Sequence, residues 1–387
     1  MGNPSRRTFL VTAAVGLAGT AVAQSNTVPE SIRKLRPMTD GIQPIRAEER
    51  EARIEKARRL MRENRMDAVL IEAGSSAFYF TGSRSNEVAL MFSRAALGSW
   101  SGTADLAVKV LKDQGVSAGR VGVEERVRFE LVDRIGKELP ALEFVSADAV
   151  TAGCRMKKSA AELALMQRAN DITITCYRAA LATLREGMTQ HELSATIAAA
   201  YRALGVEGDA MAIFGKYTAF PHGSVQPQKL REGDLVLIDD GCSVEGYQSD
   251  VTRTVIFGQP TQRQRDIWEL ERKAQDAALA AAKPGRTCES VDAAARKVIT
   301  DYGFGPGYQV PGLPHRTGHG IGLDGHEWPY LVRGNKRLLE PGMCFSDEPT
   351  IAIYGEFGVR LEDCMYITED GARTFTKQSP AIDQPFG

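Results

Sequence analysis

The sequence lacks an excess of charge of either sign: 48 lysines and arginines against 49 aspartates and glutamates leave a formal net charge of -1. Nothing in that balance points to a nucleic acid or an anionic membrane surface as partner. Six cysteines, Cys154, Cys176, Cys242, Cys288, Cys344 and Cys364, are widely spaced and form no C-x-x-C pair. This argues against a zinc ribbon and leaves no readable disulfide framework, so most of them are expected to be buried small hydrophobes. No sequence repeat is visible, and beyond the first 23 residues no apolar run is long enough to cross a bilayer. Histidine is scarce as well, at five in the whole chain, so the places where it clusters are informative.

What is present begins with a packed globular core, expected from 43% hydrophobic and 25% charged residues. The length of 387 residues suits one large domain or two ordinary ones. Residues 1–23 read as a targeting segment. Ser5-Arg6-Arg7-Thr8-Phe9-Leu10 resembles a twin-arginine export motif, Val11 to Val22 is apolar, and Ala21-Val22-Ala23 is a small-residue cleavage site. The mature chain is expected to start near Gln24, to be periplasmic or secreted, and to have no membrane contact once the signal is removed. Residues 24–46 are polar and proline-containing and read as a linker or loose lead-in.

Residues 47–150 alternate helix and strand patterns, the mark of a small α/β domain. Ala47 to Asn64, Leu106 to Gln114 and Arg128 to Glu138 read as helices. Asp67 to Ile71, Ala77 to Gly82, Arg120 to Glu124 and Phe144 to Ser146 read as strands, while Asn86 to Thr103 fits neither pattern. Residues 151–387 open differently. Ser159-x-x-Glu162 and Thr189-x-x-Glu192 are capping boxes for two helices. The first carries the apolar stripe Leu165, Ala169, Ile172, Cys176, Ala180 and Thr183. Strands at Leu235 to Asp239 and Gln248 to Phe257 follow, then helices at Thr261 to Ala282 and Val291 to Tyr302, then strands at Met343 to Ile353 and Val359 to Ile367. The order, two helices and strands and then the same again, predicts an α+β domain with antiparallel sheet backed by helices, and is compatible with a structural duplication.

Chemistry concentrates in this second part. The buried run Leu235-Val236-Leu237-Ile238 ends on Asp239, and the chain turns at Gly241 to return through Asp250. An antiparallel return can place the two carboxylates side by side, and burying them is costly unless they are paired or bind metal. On the return strand Asp250, Thr252 and Thr254 share a face. His315, His319 and His326 fall close together, with Gly318, Gly320 and Gly322 around His319. Glycines there let backbone approach a crowded centre. His222 lies in a loop-like stretch, and His191 reads as an exposed bystander. Glu348, stopped by Pro349, and Glu362 each place an acid at the end of an apolar strand, with Arg360 on the same face as Glu362. Each acid alone is ordinary surface chemistry; the cluster is not.

Five segments in order carry a resemblance: Leu237-Ile238-Asp239-x-Gly241, Ser249-Asp250-Val251-Thr252-Arg253-Thr254, His315-x-x-Gly318-His319-Gly320-Ile321-Gly322, Asp347-Glu348-Pro349 and Arg360-Leu361-Glu362-Asp363. Over about residues 155 to 380 they resemble the pita-bread metallopeptidases. The added α/β domain is similar to the Xaa-Pro aminopeptidase, prolidase and creatinase branch, although 47–150 is short for it. The resemblance implies that Asp239, Asp250, His319, Glu348 and Glu362 hold two divalent metals, with Asp250 and Glu362 shared between them. It also implies Glu348 as proton carrier, His222 and His326 as catalytic histidines facing the substrate amide, and His315 and Arg360 as substrate-binding on the leaving-group side. Oxygen-rich ligands with one imidazole favour manganese, cobalt, iron or zinc over copper, manganese foremost.

The implied reaction is hydrolysis of the bond before proline in a short peptide, by an aminopeptidase or a dipeptidase, in a homodimer. Two other readings compete. The same fold can act on a small non-peptide compound, as creatinase-like hydrolases or lyases do, or serve as an inactive binding module. Creatinase lacks the full metal set and inactive relatives are expected to lose ligands or histidines, whereas all are present here.

Overall fold

The computed structural model describes residues 28–84, 89–93, 97–100 and 103–386. The export motif and cleavage site of residues 1–23 lie outside that range. No helix among the described residues is long and apolar enough to cross a membrane.

The lead-in is not loose from residue 28 onward. A short helix α1 (Glu30–Arg33) and the chain after it lie on the second domain, with Ile32 and Ile45 buried. Met38 N–H donates to the Leu204 carbonyl (2.9 Å), and Arg168 donates to the Met38 carbonyl (3.0 Å).

In the N-terminal domain, α2 (Ala47–Glu63), β1 (Ala68–Ile71) and α3 (Ser75–Thr81) come first. They are followed by β2 (Ala89–Ser93), β3 (Leu97–Trp100), α4 (Ala104–Asp113), β4 (Gly119–Val123), α5 (Phe129–Glu138) and β5 (Leu142–Ser146). The sheet order is β3-β2-β1-β4-β5, with β1, β4 and β5 parallel and β2 and β3 antiparallel. Thus part of the unplaced 86–103 stretch is a β-hairpin. The strand expected over 77–82 is instead helix α3. Gly82 at φ 73° takes the left-handed C-terminal position that stops a helix, and Tyr79 and Phe80 are both buried. Strand β1 is buried on both faces: Ala68 and Leu70 pack with α4 and α5, while Val69 and Ile71 join the core shared with the second domain.

A short α6 (Thr151–Arg155) leads into the second domain. Helices α7 (Ala160–Leu181) and α8 (Gln190–Ala203) start at the two expected capping boxes, in which serine or threonine and glutamate satisfy each other's backbone N–H groups. Strands β6 (Met211–Phe214), β7 (Leu235–Asp240), β8 (Ser243–Val244), β9 (Tyr247–Gln248) and β10 (Val251–Ile256) follow. Helices α9 (Gln262–Ala281) and α10 (Cys288–Asp301) form the second pair. The last strands are β11 (Gly318–Gly320), β12 (Glu327–Leu331), β13 (Cys344–Asp347), β14 (Thr350–Ile353), β15 (Phe357–Arg360), β16 (Asp363–Ile367) and β17 (Ala372–Thr374). They build an antiparallel sheet β10-β7-β6, a second one β12-β11-β13-β16-β17, and the ribbons β14-β15 and β8-β9. The order of helix pair then strands, twice, is the one read from the sequence. Three long strands are broken: 248–257 at Ser249-Asp250, 343–353 at Glu348-Pro349, and 359–367 at Leu361-Glu362. All six cysteines are buried with free thiols among the described residues.

Candidate metal centre

The breaks are where the acids sit. Asp250 precedes β10, Glu348 separates β13 from β14, and Glu362 separates β15 from β16. At each break the chain passes between sheets or ribbons, so the side chain leaves the alternation of either strand and points into the junction. Asp239 closes on the same place from β7, opposite Thr252 in the β7–β10 register. His319 sits on β11 beside a register shift at Gly320. The glycines around it are needed for close approach. A Cβ on Gly318 would lie 2.2 Å from the Ser346 carbonyl oxygen, and one on Gly320 would lie 2.4 Å from that of Glu327.

Ligand atoms of Asp239, Asp250 and Glu362 lie within 4.8 Å of one another, as do those of His319, Glu348 and Glu362, and those of Asp250, His319 and His326. The five residues proposed as ligands from sequence therefore share one small space. His319 is buried, and its Nδ1 faces the Gly320 carbonyl at 3.1 Å. A carbonyl can only accept, so the ring proton sits on Nδ1 and the lone pair is on Nε2. That lone pair points at Glu348 (3.2 Å) and Asp250 (3.6 Å). Burial, with His326 adding to it, holds the His319 ring well below its ordinary pKa. A neutral nitrogen lone pair facing two carboxylates is electrostatically open until a cation lies between them.

The acids tell the same story. Burial first, and neighbouring carboxylates second, push Asp250 and Glu362 well above the ordinary carboxylate range. Burial pushes Glu348 up to about 7, Asp239 adding to it and Arg360 opposing it. Thr252 Oγ1 contacts both Asp239 and Glu362 (2.7 Å), yet a hydroxyl carries one proton. Glu362 Oε1 is buried with no partner among the described residues. Too few donors for four carboxylates is the donor set that dications complete.

Around this centre the other expected residues are distributed unevenly. His326 is exposed and its ring lies over that of His319, centroids 3.9 Å apart. Its Nδ1 is 3.1 Å from Arg316 Nη2. Arginine only donates, so His326 Nδ1 accepts and its ring proton sits on Nε2. His222 is exposed in the loop after a 3-10 turn (Gly215–Ala219), near enough for its charge to depress both His315 and His326. His315 is held inward: Nδ1 faces the Arg316 carbonyl (2.7 Å) and Nε2 the Thr350 hydroxyl (2.9 Å). Arg360 is buried, bonded to Asp239, to Thr252 (3.1 Å) and to the Pro221 carbonyl (3.1 Å) beside His222. Both residues expected to bind substrate are thus engaged within the protein. His191 is exposed on α8, as expected. Thr252, Arg316 and Ser346 had no assigned part. Ser346 Oγ accepts from His319 N–H (3.0 Å) and donates to Glu348 (3.2 Å).

A set of four carboxylates, Glu362 buried and Asp239, Asp250 and Glu348 half-buried, around one buried imidazole lone pair defines a metal-dependent hydrolase. The chain belongs to metallopeptidase family M24, whose model matches residues 164–369; the creatinase/prolidase N-terminal domain matches residues 53–100. Members of this family use divalent metals, and the acidic and imidazole groups gathered here suit them. The chain is 32% identical over 344 residues to an Xaa-Pro dipeptidase of Pyrococcus furiosus, covering 84% of this chain and 97% of the relative. It resembles a dipeptidase structure from Pyrococcus horikoshii with a TM-score of 0.78 at 29% identity, over 86% of this chain and 99% of that one. An X-Pro aminopeptidase structure from Thermotoga maritima gives 0.77 at 28% identity, over 85% and 99%.

Proposed function

We propose that this enzyme hydrolyses the bond before proline in Xaa-Pro dipeptides, with two divalent metals, manganese foremost, held by Asp239, Asp250, His319, Glu348 and Glu362. The observation that carries this is the convergence of the five ligand groups beside His326, whose ring proton is on Nε2. The metals supply polarisation of the scissile carbonyl and of the attacking water. Glu348 takes a proton from that water as its oxygen adds to the carbonyl carbon. The same proton then passes to the proline nitrogen as the C–N bond breaks. A prolyl bond has no N–H, so a site that demands that donor rejects it, whereas this one needs only the carbonyl and a place for the leaving nitrogen. His326 Nε2–H and His222 donate to the carbonyl oxygen as charge develops there. Arg360 holds Asp239 and the His222 loop in place.

Metal-loaded enzyme is incubated with Ala-Pro, Ala-Pro-Ala and Ala-Ala-Ala, and released alanine is followed. Cleavage of Ala-Pro alone supports the dipeptidase, as the Pyrococcus relatives favour. Cleavage of Ala-Pro-Ala makes it the aminopeptidase that the Thermotoga likeness favours, and cleavage of Ala-Ala-Ala alone a general aminopeptidase. No cleavage with metal bound transfers the site to a non-peptide substrate. We also propose twin-arginine export to the periplasm and a homodimer. The first is tested by fractionation of a chain with Arg6→Lys and Arg7→Lys, and the second by light scattering.

A further inference from the structure

The loop joining β11 to β12 ends on His326, and its own side chains are tied to a distant part of the molecule. Asp324 accepts from Ser75 Oγ (2.6 Å) and Arg155 Nη2 (2.6 Å) and pairs with Arg126 (3.0 Å). Glu327, the next residue after His326, accepts from Arg155 (2.5 Å) on one oxygen and Lys158 (2.5 Å) on the other. Arg155 Nη1 also donates to Ser76 Oγ (3.1 Å), which donates to Glu124 (2.8 Å). Ser75, Ser76, Glu124 and Arg126 belong to the N-terminal domain, and Arg155 ends α6 at the junction. The side chains of Arg155 and Glu327 are 9% and 7% exposed.

Ile321 and Leu323 at the start of the loop lie in the apolar core the two domains share, whereas charge makes the connection at its His326 end. A cavity of about 500 Å³, lined in part by Ser76, Glu124, Arg155, Glu327 and Trp328, lies along it. Gly322 is fitted to the same network: a Cβ there would lie 2.5 Å from Glu327 Oε1 and 2.7 Å from Lys158 Cε. Asp324 and Glu327 are therefore fixed, and only Gly325 and His326 lie between them. The His326 ring itself is exposed and touches only Arg316 and His319 among the contacts described above, so the backbone of this loop sets its reach.

We propose that Arg155 is a positioning residue, which through Asp324 and Glu327 makes the N-terminal domain hold the loop that presents His326 to the substrate. This rests on the reading of His326 as a substrate-facing donor. It gives the N-terminal domain a part in turnover itself. A displacement of about 1 Å at such a donor costs up to roughly 100-fold in rate.

The test compares full-length, metal-loaded wild type with Arg155→Met, Arg155→Lys and Asp324→Asn. Metal content, kcat and KM on Ala-Pro are measured. So is the rate at which diethyl pyrocarbonate modifies His326, read by peptide mass mapping. In Arg155→Met, metal content is expected to hold while kcat falls roughly 10- to 100-fold with little change in KM, and His326 modification speeds up. Arg155→Lys keeps the charge but cannot reach both carboxylates and Ser76, so it recovers part of the loss. If Arg155→Met fails to fold, Asp324→Asn, which keeps the side-chain shape, decides by the same readouts. Wild-type kcat and wild-type His326 reactivity in a folded variant would overturn the proposal and leave Arg155 as a domain tie alone. If wild type does not cleave Ala-Pro, the prolyl reading fails, and the modification rate still decides whether Arg155 positions His326.

Discussion

Asp250 and His326 are neighbours in space, yet they are expected to fail differently when changed. Asp250 is a charge the cluster needs to hold a dication, so Asp250→Asn is expected to lose metal and activity together while the fold survives. His326 is read as a donor to the substrate rather than a ligand, so His326→Ala is expected to keep metal and lose roughly 100-fold or more in kcat. Metal content by mass spectrometry separates the two, and equal metal loss in both would show that His326 belongs to the ligand set. The ligand residues were legible because glycine, proline and apolar runs frame each of them in sequence. Thr252 was half legible: it was placed on the face of Asp250, but its sharing between Asp239 and Glu362 depends on β15 and β16, more than a hundred residues on. Arg316 gave no signal, since its part is a contact with His326 in the loop on the far side of β11.

At the scale of elements, the strand breaks decide where the acids point, and one buried pair holds two of the strands together. Arg253 on β10 and Asp363 on β16 are both fully buried and 2.7 Å apart. Arg253 also donates to the Glu362 carbonyl (2.8 Å), so it secures the backbone of a ligand. Removing one partner of such a pair leaves a buried charge alone. Arg253→Met is therefore expected to lower stability by about 3–5 kcal/mol, measured by urea unfolding with metal removed from both proteins. The breaks were only partly legible. Pro349 marks one, but Ser249-Asp250 and Leu361-Glu362 carry no breaker residue and arise because the chain changes sheet there. Helix α3 was misread because Phe78-Tyr79-Phe80 favours strand locally, while the glycine stops at Gly74 and Gly82 fit the helix that the inter-domain core requires.

Across the whole molecule, the two domains share an apolar core, and beside it the ionised groups Asp324 and Glu327 give their contact a pH-dependent part whose sign can be worked out. Burial alone would raise Asp324 and Glu327. Arg155, Ser75 and Arg126 together outweigh it for Asp324, and Lys158 with Arg155 for Glu327, leaving both below their ordinary values. A lowered carboxylate contributes stability that is present above the unfolded pKa and lost as pH falls through the folded one. Thermal midpoints of the wild type are thus expected to drop as pH is taken below about 4, and the drop is expected to be shallower in Asp324→Asn. The duplicated order of helices and strands was legible at this scale because capping boxes open the first helix pair, although α10 begins at Cys288 rather than Val291 and has no side-chain cap at Thr287. The docked lead-in was not, because Ile32, Leu35, Met38, Ile42 and Ile45, which pack on the core, each stand singly among polar residues and prolines.

The dispersal of the ligands also sets an order of events in folding. Asp239 on β7 and Asp250 just before the neighbouring β10 are close in sequence, whereas His319, Glu348 and Glu362 must wait for β11, β13 and β16 to find one another. Pairings between distant segments slow folding, so a complete coordination sphere exists only near the end of the path. Metal can then do little to start the process and much to prevent its reversal. Manganese added to a refolding chain is expected to leave the early phase of recovery unchanged and to slow unfolding in denaturant, an effect that a chelator should abolish.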